Sequence, residues 1–80
     1  MINVSVLFFG ATAEAVGQRE INLEIADGSK AAEVFARLNG DFPELKRHSL
    51  LFSVNQEYAS GGETINDGDE LAIFTAVSGG

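Results

Sequence analysis

Hydrophobic and polar residues alternate from Ile2 to Phe9, and the alternation sorts them onto two faces. Ile2, Val4, Val6 and Phe8 share one face. It is uniformly apolar, so it predicts the core side of a strand. Asn3, Ser5, Leu7 and Phe9 share the other, which starts polar and ends apolar. Leu7 and Phe9 are therefore expected to point outward near the carboxyl end of that strand. Glu20 to Ile25 alternates again and turns Ile21, Leu23 and Ile25 inward. Between them, Thr12 to Val16 predicts one short helical turn, with Thr12 as N-cap and Gly17 as stop. So short a connection makes the two strands an antiparallel pair.

After the Asp27-Gly28 turn the period changes. Ser29 is placed to cap a helix, and Ala31, Val34, Phe35 and Leu38 form one apolar stripe at i, i+3, i+4 and i+7. Lys30, Glu33 and Arg37 lie off the stripe. Asn39-Gly40 predicts the end of that helix. Pro43 fits the first turn of a shorter one reaching Arg47. Leu50 to Asn55 reads as a third strand, with Phe52 and Val54 inward. Gln56 to Asn66 is irregular and carries Tyr58, Gly61-Gly62 and an anchoring Ile65. Asn66 to Asp69 is a turn signal. A final strand, Glu70 to Phe74, sends Leu71 and Ile73 inward and Ala72 and Phe74 outward. One helix covers only one face of a sheet, so these elements predict an α+β roll of four to five strands with the main helix packed on one face.

The totals narrow the setting. Eighty residues make one domain, 1–80. There is no apolar run long enough to span a membrane, and the start lacks the basic flank and apolar block of a signal peptide. Cysteine is absent, so no thiolate chemistry is available. These features lead to the expectation of a cytoplasmic protein. The net charge of -7 argues against nucleic acid and suits a basic patch on a protein partner.

Catalytic groupings are hard to find. His48 is the single histidine and sits in a polar stretch beside Lys46 and Arg47. No His/Cys cluster suggests a zinc site. No glycine-rich loop joins a strand to a helix as phosphate binding needs. Asp67, Asp69 and Glu70 lack the ligand spacing of a calcium loop and read as a solvated turn. The serines have no partner to activate them. The pattern points to a carrier or substrate, with no metal or cofactor bound, and directs attention to the end of the chain. There the apolar strand gives way to a tail, 75–80, closing on Gly79-Gly80. Two residues without Cβ leave that tail flexible and thin enough to thread a narrow channel and present its carboxylate.

Val4-Ser5-Val6-Leu7-Phe8-Phe9-Gly10, then Val54-Asn55-Gln56, then Asp67 to Phe74 leading to Val77-Ser78-Gly79-Gly80, resemble in order the small-subunit family of molybdopterin synthase (MoaD). The likeness spans nearly the whole chain. One departure is that Thr75 and Ala76 stand where the family pattern usually has two prolines. The resemblance implies a β-grasp, ubiquitin-like fold with the first and last strands as central neighbours. It also implies a mechanism. An E1-like enzyme of the MoeB type uses ATP to adenylate the Gly80 carboxylate, and a sulfur donor converts it to a thiocarboxylate. Val77, Ser78, Gly79 and Gly80 then enter the active site of the large subunit, MoaE, within a heterotetramer. Sulfur passes there to cyclic pyranopterin monophosphate in molybdenum cofactor biosynthesis. Phe9, Tyr58 and Phe74 match the family's hydrophobic patch for its partner. Two other readings stand beside this one: a ThiS-like carrier, or one serving another sulfur acceptor, and a ubiquitin-like binding module whose Gly-Gly end is incidental.

Overall fold

The computed structural model describes residues 1–75. The chain runs β1 (Ile2–Phe8), α1 (Ala11–Val16), β2 (Glu20–Ile25), α2 (Ala31–Asp41), a 3-10 helix (Pro43–Arg47), β3 (Leu50–Val54), β4 (Glu57–Tyr58) and β5 (Glu70–Thr75). The strands form one mixed sheet in the order β2-β1-β5-β3-β4. β1 pairs antiparallel with β2 and parallel with β5, so the first and last strands lie side by side at the centre. β5 extends through Thr75, which pairs with Leu50 and so takes one residue from the segment expected as tail. Val77, Ser78, Gly79 and Gly80 lie outside the described residues.

Strand alternation decides the core. Val4, Val6 and Phe8 of β1, Leu23 and Ile25 of β2, Phe52 of β3 and Leu71 and Ile73 of β5 are all buried. They meet Ala31, Val34 and Leu38 from the stripe of α2 and Leu45 from the 3-10 helix. Two edge-to-face ring pairs lock helix to sheet: Phe35 with Phe52 at 5.1 Å and Phe8 with Phe42 at 5.9 Å.

The helix ends differ from the sequence expectation, for tertiary reasons. Thr12 is not the cap of α1, which follows Gly10 at φ 57°. Thr12 is buried in the first turn instead. Its Oγ1 accepts the N–H of Phe9 at 3.0 Å and lies within donating distance of the carbonyls of Phe9, at 2.7 Å, and Ile73, at 2.9 Å. One hydroxyl thus ties the end of β1 to β5. Gly17 does stop α1, in the left-handed conformation at φ 83°.

Lys30, not Ser29, occupies the cap of α2. The Glu33 carboxylate accepts the Lys30 N–H at 2.8 Å. A distant loop then supplies acceptors that a local cap would have given: the carbonyls of Glu63 and Gly61 take the N–H groups of Ala31 and Ala32. Gly61 holds φ 113°, and a Cβ there would lie 3.3 Å from that of Ala32, so this approach needs glycine. At the other end α2 runs past Asn39-Gly40 to Asp41, and Phe42 then packs on Phe8.

The stretch expected as irregular contains β4 and a further bridge between Lys30 and Thr64. Glu63 holds its return path. The carboxylate accepts the backbone N–H of Ser60 at 2.6 Å and of Gly61 at 2.8 Å, and the Ser60 hydroxyl at 3.1 Å. The N–H of Ser60, then its own and that of Gly61, lower its pKa from 4.5 to about 2. Among the described residues no helix is long and apolar enough to cross a membrane.

Candidate partner-docking site

Helices cover one face of the sheet; the site lies on the other. The register builds it row by row, because directly paired residues share a face. Leu7 of β1 pairs with Ala72 of β5, Ala72 with Ser53 of β3, and Ser53 with Tyr58 of β4. These four form one outward row across four strands. The next row, toward the carboxyl end of β5, pairs Phe74 with Leu51. Phe9 continues the outward face of β1, with its N–H donated to the carbonyl of Ile73 at 3.1 Å.

Leu7, Phe9, Ser53, Gln56, Tyr58, Glu70, Ala72 and Phe74 line an open groove of about 330 Å³. Small residues form its floor. Ala72 and Ser53 point away from the helices yet are buried, because larger neighbours on the same face overhang them. The walls are aromatic: Tyr58 and Phe74 lie 5.9 Å apart between ring centroids at a tilt of 50°. Phe9 is 52% exposed and Tyr58 75%, whereas Phe8, one residue from Phe9, is 2% exposed. Tyr58 and Phe9 each also border a neighbouring hollow, but this groove is where Phe9, Tyr58 and Phe74 meet.

The three aromatics expected at a partner surface are therefore brought together. β1 and β5 run parallel, so Phe9 and Phe74 share the edge from which the chain continues to residue 76. Two residues of this face escaped the sequence reading. Leu51 adds an exposed apolar side chain beside Phe74, and Gln56 enters from the turn before β4. Leu51 lies on the outward side of β3 by the alternation that places Phe52 inward, so its signal was present.

The titratable groups singled out from sequence do not assemble. Asp67 accepts the Asn3 N–H at 2.8 Å, and Asp69 accepts the Asn66 N–H at 2.8 Å and the Asn55 amide at 3.0 Å. These carboxylates brace their turn and tie it to β1 and to the turn between β3 and β4. His48 follows the 3-10 helix and donates its N–H to the carbonyl of Leu45. Among the described residues no three His, Cys, Asp or Glu side chains are grouped to hold a metal ion.

A mixed sheet with a parallel central pair, curled over one main helix, defines the β-grasp class to which ubiquitin-like proteins belong. The crystal structure of the small archaeal modifier protein 1 of H. volcanii matches it with a TM-score of 0.86 at 25% identity, over 96% of this chain and 100% of that one. The chain belongs to the ThiS family, whose model matches residues 6–80. It is 36% identical to the molybdopterin synthase sulfur carrier subunit of Mycobacterium tuberculosis, over 100% of both chains. It is 32% identical to the subunit of the same name from Chlamydomonas reinhardtii, over 99% of this chain and 100% of that one.

Proposed function

We propose that the chain is a sulfur carrier of molybdopterin synthase, one domain over 1–80 whose working atom is the carboxyl carbon of Gly80. The observation that supports this most is the aromatic groove at the edge where β5 hands over to the last five residues. A face of that kind docks a partner while the chain end reaches into it.

A free carboxylate is a poor electrophile, so the chemistry starts on another protein. The Gly80 carboxylate attacks the α-phosphorus of ATP on an E1-like enzyme of the MoeB type, pyrophosphate leaves, and the carboxyl becomes an acyl-adenylate. A donor delivering sulfide-level sulfur attacks the acyl carbon, AMP leaves, and a thiocarboxylate results. Val77, Ser78 and Gly79 present few bulky atoms to a channel, so the tail threads into the large synthase subunit. That subunit supplies the catalytic groups and passes the sulfur to cyclic pyranopterin monophosphate. Two carriers and two large subunits form the heterotetramer, in the cytoplasm. In this reading the chain needs no metal or cofactor of its own, and ATP belongs to the activating step. Relatives that are named as subunits favour such an obligate partner.

A second reading draws on the likeness to an archaeal modifier protein. The same activated carboxyl would then form an amide on another protein. The two readings share activation and part at the acceptor.

Removal of Gly80 tests the step they share. Adenylation by the E1-like enzyme should fall to background, while the unfolding midpoint stays within about 2 °C of the full chain, because the buried core is built from residues between Val4 and Ile73. Normal adenylation of the shortened chain would contradict the carrier role.

A further inference from the structure

β3 and β4 are joined by a two-residue turn, Asn55-Gln56, and both residues have positive φ, 50° and 70°. Strand twist demands such a turn, which favours Asn at its first place and Gly at its second. Asn55 fits, and its side chain serves the fold. Its Oδ1 accepts the Glu70 N–H at 3.0 Å and its Nδ2 donates to Asp69 at 3.0 Å. Gln56 does not fit. Its Cβ is disfavoured in the left-handed region where glycine costs nothing extra. Among the described residues, the side-chain hydrogen bonds of this turn are all made by Asn55. The Gln56 side chain is exposed and lines the docking groove with Tyr58, Glu70 and Phe74.

A residue that strains its own turn, bonds nothing within the described fold and borders an apolar groove has its use outside the chain. We propose that Gln56 is a specificity-determining contact of the docking face, its amide hydrogen-bonding a polar group beside the apolar segment that the partner lays in the groove. This rests on the docking role proposed above. An amide offers both a donor and an acceptor, so it suits an exposed backbone N–H or carbonyl of the partner. Glu70 at the same end adds a negative charge that favours a basic neighbour there. A segment bringing only apolar atoms to this rim would dehydrate the amide without replacing its hydrogen bonds, and so be rejected.

The test measures affinity for the purified large synthase subunit by calorimetry, alongside thermal unfolding of each full-length variant. Gln56→Gly should raise the unfolding midpoint, by about 4 °C, as the strained residue is relieved. It should also weaken binding about tenfold. Gln56→Ala keeps the strain and loses the amide, so its midpoint should stay close to that of the parent while its binding weakens to a similar degree. Phe74→Ala serves as the control for the face itself. If both Gln56 variants bind within about twofold of the parent while Phe74→Ala binds poorly, the role of Gln56 is overturned and the docking face stands. If Phe74→Ala binds as tightly as the parent as well, both fall. A Gln56→Gly protein less stable than the parent would show that the turn needs glutamine to fold, and would also overturn the proposal.

Discussion

Phe8 and Phe9 are adjacent in sequence and opposite in role. Phe8 is buried and meets Phe42 edge to face; Phe9 is half-exposed and lines the groove. Truncating a core phenylalanine typically costs 3–5 kcal/mol, so Phe8→Ala should lower the urea midpoint steeply, by roughly that much in stability. Phe9→Ala should cost under about 1 kcal/mol of folding free energy and weaken partner binding by about 2 kcal/mol. Denaturant titration and calorimetry on the two variants check this, and a reversed order would mean that the strand register is wrong. The contrast was legible in the chain, since a period of two shows on paper which neighbours part company. Phe74 was legible in the same way. Tyr58 was not: β4 is two residues long, too short for any alternation, and only the family resemblance marked that position. Gln56 stands in the Val54-Asn55-Gln56 stretch that carries the resemblance, but no periodicity placed it on the groove, because its positive φ is imposed by the turn and not by the residue.

Among the elements, the strands and the stripe of α2 follow from periodicity, whereas the helix ends do not. The first N–H groups of α2 are capped by the carbonyls of Glu63 and Gly61, which lie twenty or more positions beyond its last residue, Asp41. No local rule reads a cap supplied from so far away. Glu63 holds that loop, and its chemistry gives a pH test. Its carboxyl has a folded pKa of about 2 against an ordinary 4.5, so the ionised form is the one that stabilises the fold. That contribution is complete above about pH 4.5, declines as the unfolded chain takes up a proton that the folded chain refuses, and is gone below about pH 2. Glu63→Gln should therefore be less stable than the parent at neutral pH, with the gap closing as pH falls through this window. Unfolding midpoints measured from pH 7 to pH 2 report it. A gap that does not change with pH would assign the clasp to shape and not to charge.

At the scale of the whole molecule, the parallel pairing of β1 and β5 has the largest consequence. It sets the apolar ends of two distant segments at one edge, helps to lay Phe9, Tyr58 and Phe74 around one groove, and brings Thr75, the last described residue, to the same edge. The net charge of -7 leaves the surface suited to a basic partner, which would speed encounter at low salt. Fold alone would not make this a sulfur carrier. The family match over 6–80, the full-length likeness to named sulfur carrier subunits and the groove at the root of the tail converge on that role. It is tested most directly by the intact mass of the chain after incubation with the E1-like enzyme, ATP and a sulfur donor. Exchange of one carboxyl oxygen for sulfur should add about 16 Da, confined to the last residues on fragmentation and absent when ATP is withheld, which separates it from oxidation of Met1. An unchanged mass, or a gain that appears without ATP or maps elsewhere, would contradict the account.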